Sequence, residues 1–251
     1  MSNYNIYFSP TGGTKRVADV LVNKLAGVFM EIDLCHEIDF LTLNEQDVCV
    51  VSVPSYGGRV PAVAIERLKR ISAGGAKVIL NCVYGNRAWE DTLTELQDTL
   101  ESLGFVCVAA VAAVAEHSIF RQFAAGRPDS EDITQLADFA KQIQLKLDSN
   151  VYGPLELTGS HGTYKVYGGA SFKPEGDEKC SGCGLCAKAC PVGAINLKYP
   201  HITDKEKCIS CMRCVVICPK HARNLDSHVM QEMGNKMAAV LSGHKENQLF
   251  L

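Results

Sequence analysis

Cysteine is the residue type whose number and spacing point most directly to chemistry in this chain. The 251 residues include twelve cysteines, and eight of them lie between positions 180 and 218. The N-terminal residues lack the basic and then apolar pattern of a secretion signal, so a dense cysteine group is expected to bind metal rather than to form disulfides. The eight cysteines form two runs that repeat each other after 28 residues, Cys180-x2-Cys183-x2-Cys186-x3-Cys190-Pro191 and Cys208-x2-Cys211-x2-Cys214-x3-Cys218-Pro219.

This spacing resembles that of bacterial two-cluster ferredoxins, in which each run gives three thiolates to one [4Fe–4S] cluster and its fourth cysteine to the other. On that resemblance the ligands of the first cluster, which we call the first cysteine set, are Cys180, Cys183, Cys186 and Cys218. The ligands of the second cluster, the second cysteine set, are Cys208, Cys211, Cys214 and Cys190. A pair of structural zinc sites is the alternative, but two Cys-x2-Cys pairs suffice for zinc. The third cysteine and the Cys-Pro step in each run therefore favour the clusters.

The loop after the first predicted strand is rich in hydroxyl groups and glycine. It reads Ser9-Pro10-Thr11-Gly12-Gly13-Thr14-Lys15 and leads into a predicted helix. It matches neither the dinucleotide fingerprint nor the P-loop pattern. Hydroxyls and backbone N–H groups at a helix N-terminus suit a phosphate monoester. The alternative is that Thr14 only caps the helix, which leaves the other hydroxyls and the two glycines without a role.

The same loop resembles the FMN-phosphate loop of flavodoxins, [ST]-x-T-G-x-T, and matches it at Ser9, Thr11, Gly12 and Thr14. The resemblance implies that FMN lies at the carboxyl ends of the strands, so that the loops after the third, fourth and fifth strands contact its ring. The candidate FMN-binding residues are Ser9, Thr11, Gly12, Gly13, Thr14, Pro54, Ser55, Tyr56, Gly57, Gly58, Tyr84, Gly85, Asn86, Arg87 and His117. Surface packing is the alternative for each tyrosine, and His117 could equally be an ordinary loop histidine.

Strand-like and helix-like stretches alternate before the cysteine runs. Apolar runs predict strands at residues 5–8, 28–34, 48–53, 77–83 and 105–114. Helical periodicity predicts helices at residues 14–25, 61–71, 88–103 and 130–147. This alternation predicts a doubly wound, five-stranded parallel α/β sheet of the flavodoxin-like type. The cysteine runs predict a small α+β ferredoxin-like domain with two clusters.

The chain divides into four parts by composition. We expect a flavodoxin-like FMN-binding domain at 1–150, a connector at 151–176, a two-cluster ferredoxin domain at 177–225 and a helical tail at 226–251. The connector is rich in glycine and proline but carries Tyr164, Tyr167 and Phe172, so we expect it to pack against its neighbours. A packed connector would hold the ferredoxin part over the carboxyl end of the sheet. A mobile ferredoxin part is the alternative.

The whole pattern resembles a family of small flavodoxin–ferredoxin fusion proteins. That resemblance implies an electron-transfer protein that links two [4Fe–4S] clusters with FMN and acts as a converter between one-electron carriers and a two-electron reaction. The net charge of −3 and the lack of a basic block argue against nucleic acid as a partner. The longest uncharged runs, residues 1–14 and 102–115, are too short to span a membrane. We therefore expect a cytoplasmic protein whose partner is a redox protein or a small electron donor or acceptor.

Two other functions fit the same residues. In the first, FMN reduces a small acceptor of the quinone or nitro type, and the chain's own ferredoxin part supplies the electrons. The catalytic residues of such an enzyme are unknown, although His117, Tyr56 and Tyr84 are candidate proton donors. In the second, the chain is an iron–sulfur redox sensor without flavin. The sequence leaves open the direction of electron flow, the potentials and the oligomeric state.

Overall fold

The computed structural model describes residues 2–251. Its strands are β1 (Asn3–Tyr7), β2 (Phe29–Asp33), β3 (Leu41–Thr42), β4 (Val48–Pro54), β5 (Ile71–Ser72), β6 (Lys77–Tyr84), β7 (Val106–Val114), β8 (Glu175–Gly176), β9 (Arg223–Asn224) and β10 (Gln248–Phe250). Its helices are α1 (Gly13–Val22), α2 (Ala62–Leu68), α3 (Thr92–Ser102), α4 (Ser130–Ser149), α5 (Leu185–Lys188), α6 (Arg213–Val216) and α7 (Ser227–Leu241). Over residues 2–251, no helix combines the length and apolarity that a membrane span requires.

The main sheet has the strand order β10-β7-β6-β4-β1-β2. Its strands run parallel, apart from β10, which is antiparallel to β7. The five parallel strands confirm the predicted doubly wound sheet, and their order, second-first-third-fourth-fifth, is that of flavodoxin-like folds. The sixth strand, β10, was not expected. A three-residue strand carries too short an apolar pattern to be recognised from sequence.

Helices cover both faces of this sheet, as a parallel sheet requires. Leu21 of α1 and Leu136 of α4 pack on one face, and Leu68 of α2 and Leu96 of α3 pack on the other. The strands β4 and β7 are buried along almost their whole length, which accounts for their continuous apolar sequence. This arrangement brings the loops after β1, β4, β6 and β7 to one edge of the sheet.

The segment with the cysteine runs repeats its structure as it repeats its sequence. Each run contains one short helix, α5 or α6, and each helix follows a residue with left-handed backbone, Gly184 (φ 71°) or Met212 (φ 60°). The strands β8 and β9 pair antiparallel beside these helices. The segment is therefore small and of mixed α+β structure, as predicted.

The connector packs against the α/β part, as its aromatic residues predict. The Tyr164 hydroxyl donates a hydrogen bond to Asp98, and the Arg59 guanidinium lies 5.0 Å from the centre of the Tyr164 ring. Farther along, Phe172 meets Phe120 edge to face, with ring centroids 5.5 Å apart. The connector thus follows a defined route over the protein surface.

The tail returns to the α/β part after the cysteine segment. Its last strand, β10, pairs with β7, and the Asn247 side chain fixes this pairing. The Asn247 carbonyl oxygen accepts a hydrogen bond from the Val114 amide at 2.8 Å, and its amide nitrogen donates to Asp132 at 2.9 Å. The cysteine segment is therefore anchored on both sides, by the connector and by the tail.

Candidate functional site

The loops at the carboxyl ends of β1, β4, β6 and β7 enclose a cavity of about 190 Å³. Eleven of the candidate FMN-binding residues line it, and they come from four separate loops. These residues are Thr11, Gly13, Thr14, Pro54, Ser55, Tyr56, Gly57, Tyr84, Gly85, Arg87 and His117. The cavity therefore lies where a doubly wound sheet binds its ligand, outside the carboxyl ends of the strands.

One end of the cavity is formed by the start of α1. Gly12 is the N-cap with a φ of 91°, and a Cβ there would meet nothing within 4 Å, so glycine serves the left-handed backbone. The Ser9 hydroxyl accepts a hydrogen bond from the Lys15 amide at 2.9 Å and so satisfies one amide of the first turn. The hydroxyls of Thr11 and Thr14 and the first-turn amides, which have no acceptor within the helix, suit a phosphate group.

A tight turn after β4 forms the side of the cavity. The Tyr56 amide donates to the Arg59 carbonyl at 2.9 Å across Gly57 and Gly58, whose φ angles are 61° and 87°. Two consecutive left-handed residues define a turn that favours glycine at both positions. Gly57 also lies under the ring of Tyr167, which a Cβ would approach to 2.2 Å. A Cβ at Gly58 would lie 2.8 Å from the Glu90 Cβ, so both glycines are explained by the turn and by a close contact.

His117 closes the cavity beside Gly85, where a Cβ would lie 2.9 Å from the imidazole Cδ2. The His117 Nδ1 accepts hydrogen bonds from the amides of Ile119 and Phe120, each at 3.1 Å. Burial, and after it the charge of Arg87, lowers the pKa of His117 to about 4. The imidazole is therefore neutral at pH 7 and carries its hydrogen on Nε2. It can donate a hydrogen bond into the cavity but is not a cationic acid.

The other ionisable groups of the lining are held in one protonation state. Burial raises the pKa of Tyr84 to about 12 and raises that of Tyr56 well above its usual value, so both phenols keep their protons. The Arg87 guanidinium binds both oxygens of Glu90, at 2.8 and 2.9 Å. Hydrogen bonds from Arg87 are the main cause that lowers the pKa of Glu90, to about 2. The charge of Arg87 is thus balanced beside the cavity.

Asn86 is a predicted FMN contact, but in the structure its side chain binds the tail. Its side-chain amide donates to the carbonyls of Leu241 and Gly243, at 2.6 and 2.8 Å, and so holds the end of α7.

The sequence also misses cavity residues from outside the sheet loops, because no local motif marks them. These include Tyr167, Ala170 and Phe172 of the connector and Ile209 and Ser210 of the second cysteine run. The aromatic content of the connector is the signal that could have identified Tyr167 and Phe172.

Each cysteine set lines a small cavity of its own. Cys218 lies with Cys180, Cys183 and Cys186, and Cys190 lies with Cys208, Cys211 and Cys214. Within the described residues, 2–251, no three His, Cys, Asp or Glu side chains are grouped so as to hold a single metal ion. Thiolates that bind four different irons of a cluster are spread more widely than the ligands of one ion, so both cavities suit a [4Fe–4S] cluster.

The second cysteine set lies against the α/β part. Ile209 and Ser210, from its loop, line the same cavity as the candidate FMN-binding residues. The buried Arg67 of α2 donates to the carbonyl of Pro191, the residue after Cys190, at 2.7 Å. The cysteine segment therefore lies over the carboxyl end of the sheet, which confirms the expected position.

Comparison with known proteins identifies the cysteine segment directly. Residues 179–222 match the family model of the 4Fe-4S dicluster domain. Among curated proteins, subunit I of the NADH-quinone oxidoreductase of Psychrobacter cryohalolentis is 61% identical over 28 residues, which is 11% of this chain and 15% of that protein. The chain thus matches only a small part of this relative's length.

Among solved structures, the chain is similar to a flavodoxin from Streptococcus pneumoniae TIGR4, with a TM-score of 0.43, 19% identity and coverage of 58% of this chain and 99% of that one. It is also similar to a flavodoxin from the domain Archaea, with a TM-score of 0.42, 12% identity and coverage of 59% and 99%. The strand order of the sheet and the dicluster domain together show that the chain joins a flavodoxin-like fold to a ferredoxin-type domain.

Proposed function

We propose that this chain, a flavodoxin-like fold joined to a 4Fe-4S dicluster domain, passes electrons between two [4Fe–4S] clusters and FMN and so converts between one-electron and two-electron carriers. When bound, the clusters would supply single electrons, and FMN would exchange one or two. The observation that carries the proposal is the shared cavity wall. Ile209 and Ser210 belong to the loop of the second cysteine set and also line the cavity of the candidate FMN-binding residues.

The cavity provides groups suited to each part of FMN. Thr11 and Thr14 would bind the phosphate with their hydroxyls, together with the amides at the start of α1. The rings of Tyr56 and Tyr167 offer apolar faces to the isoalloxazine, and His117 offers an Nε2–H donor. Gly57 and Gly85 keep these walls close together. The residues present therefore fit the cofactor.

The two cysteine sets face different surroundings, which supports an outer and an inner role. Cys183 of the first set is exposed, whereas the corresponding Cys211 of the second set is only 8% exposed. Cys211 also lies close to Tyr56, because its charge is the second cause, after burial, that raises the pKa of the Tyr56 phenol. We infer that the first set faces the partner and that the second set faces the flavin cavity.

The face beside the first cysteine set carries exposed lysines. Residues 177–225 contain eight Lys and Arg against four Asp and Glu, a formal charge of +4 that two clusters of about −2 each would offset. Lys188 and Lys220 are exposed near the first cysteine set, and the apolar Leu185 and Leu197 are exposed beside it. An acidic one-electron carrier protein with an apolar patch would fit this face.

A second candidate function is reduction of a small acceptor at the flavin. A cavity of about 630 Å³ between the two parts shares Tyr56, Tyr167 and Ile209 with the flavin cavity and gives a small molecule access. Steady turnover of quinone or nitro compounds by the fully loaded protein would favour this function over that of a carrier.

The proposal is tested by reductive titration of the anaerobically purified protein. Two clusters and one FMN should take up about four electrons per chain, with about eight irons and one flavin. After rapid mixing with a one-electron donor, the flavin absorbance should fall at a rate independent of protein concentration, because transfer is intramolecular. Uptake of about two electrons without flavin would instead support the sensor and contradict the proposal.

A further inference from the structure

Arg223 is a fully buried cation placed between the two cysteine sets. It belongs to β9, and its side chain is 1% exposed. Its terminal nitrogens donate to the carbonyls of Pro200, at 2.7 Å, and Pro174, at 2.5 Å, and to the Thr203 hydroxyl. In the part of the chain that the structure describes, its buried Nε has no protein nitrogen or oxygen as a hydrogen-bond partner.

The charge of Arg223 also lacks a carboxylate partner, unlike that of the other buried arginines. Arg127 pairs with Asp132, and Arg67 lies 3.4 Å from Glu37. Over residues 2–251, no Asp or Glu oxygen lies within 4.0 Å of the Arg223 guanidinium. An unpaired buried charge is strongly unfavourable. An anion that the protein acquires after folding would remove this penalty.

The surroundings of Arg223 show where that anion would be. The side chain itself lines the cavity of the first cysteine set. The hydrogen-bond partners of its terminal nitrogens belong to both cavities, since Pro200 lines the first, whereas Pro174 and Thr203 line the second. One guanidinium therefore lies beside both cavities.

The sequence repeat shows that the fold itself does not require a cation at this position. The residue 28 positions earlier, which corresponds to Arg223 in the first run, is Ile195. Ile195 is also buried. The apolar residue thus fills the equivalent place in the first half of the repeat, and the positive charge is particular to the second half.

We propose that Arg223 is a counter-ion shared by both [4Fe–4S] clusters, which makes each cluster easier to reduce. This inference rests on the proposed presence of both clusters. An oxidised cluster with four thiolates has a charge of about −2, and one electron from an external reductant takes it to about −3. A buried positive charge beside both clusters stabilises the reduced forms more than the oxidised ones. It also offsets the repulsion between the two anionic centres.

The test compares three variants in redox titrations followed by EPR, with iron and flavin content measured on each sample. Arg223→Gln removes the charge, Arg223→Lys keeps it, and Thr203→Val disturbs the same hydrogen bonds without changing the charge. Arg223→Gln should lower both cluster potentials by at least a tenfold change in the one-electron equilibrium constant, which is about 59 mV. Arg223→Lys and Thr203→Val should stay near the wild type, and the flavin potential should not change in any variant.

Several outcomes would overturn the proposal. Unchanged cluster potentials in a fully loaded Arg223→Gln protein would exclude a counter-ion role. Equal shifts in all three variants, or loss of iron from all three, would show that the hydrogen bonds matter rather than the charge. Loss of iron from Arg223→Gln alone would support the proposal, because the charge-retaining variant would remain loaded. A wild-type protein without about eight irons would overturn both this inference and the proposed function.

Discussion

The two cysteine sets have the same spacing but opposite surroundings. Cys183 in the first set is open to solvent, and the cavity of that set is lined only by residues of the cysteine segment. Ile209, in the loop of the second set, packs against the core of the α/β part. Arg67 binds the carbonyl next to Cys190 at 2.7 Å. The comparison teaches that a motif can predict which ligand is bound, whereas the docking of the segment decides what each site faces.

The largest effect is expected when a cysteine of one set is removed, because that set should then lose its cluster. Cys190→Ala should remove the cluster held by the rest of the second set and lower the iron content from about eight to about four per chain. Combining it with Cys211→Ala should cost no further iron, because both residues then serve the same cluster. Combining it with Cys183→Ala should remove the remaining iron. The opposite result in the two double variants would show that the runs do not exchange their fourth cysteines.

The next effect removes the flavin and leaves both cysteine sets unchanged. Thr14→Val deletes a hydroxyl proposed to bind the FMN phosphate, and loss of one hydrogen bond to a charged group costs about 1.5–3 kcal/mol. The Kd for FMN should therefore rise by about one to two decades. Flavin fluorescence titration measures it, with iron content as the internal reference. Thr134→Val, at an exposed position of α4, is the matched control, and an equal Kd in both variants would place the phosphate elsewhere.

A third change weakens the contact between the second cysteine set and the α/β part. Arg67→Gln leaves the buried carbonyls of Leu34 and Pro191 without their donor, at a cost of about 1–3 kcal/mol for each unpaired group. We expect intramolecular reduction of the flavin to slow by about a decade while iron and flavin contents stay the same. Stopped-flow absorbance measures the rate. Arg70→Gln, on the more exposed neighbour, should have little effect, and similar rates in the two variants would contradict the role of this contact.

A change at the first set should affect the partner and not the flavin. Lys220→Glu reverses an exposed charge beside the first cavity and should slow reduction by an acidic ferredoxin several-fold at low salt. High salt should remove most of the difference, because exposed charges are screened. Lys141→Glu on α4 is the control. A rate that is insensitive to Lys220→Glu would mean that the partner docks elsewhere.

The smallest effect concerns His117, on the flavin side of the second set. Its pKa of about 4 lies below the value of about 6.5 for an unfolded chain, so the folded state favours the neutral ring. The contribution of His117 to the free energy of unfolding should therefore be complete above pH 6.5 and should be lost as the pH decreases toward 4. Urea unfolding at several pH values measures this loss, and His117→Gln should reduce it. NMR titration of His117 with a midpoint near 6.5 would contradict the buried neutral state.

The parts of the site that sequence predicts are those encoded locally. The strands of the parallel sheet follow from continuous apolar runs such as β4 and β7, and the cysteine spacing is itself the cluster motif. The role of Asn86 depends on the tail, which lies far away in sequence. The role of Gly58 depends on the geometry of its turn. The contributions of Ile209 and Tyr167 depend on how the connector folds back, which no short pattern encodes.

The pairing of β10 with β7 has a consequence for the architecture of the chain. The iron–sulfur segment lies between two strands of one sheet, so it is an insertion within the α/β fold and not an appendage on a single linker. Two attachment points restrict the volume that the segment can sample, which raises its effective concentration at the flavin cavity without any docking step. A different two-cluster segment could replace it, provided that its ends lie the same distance apart.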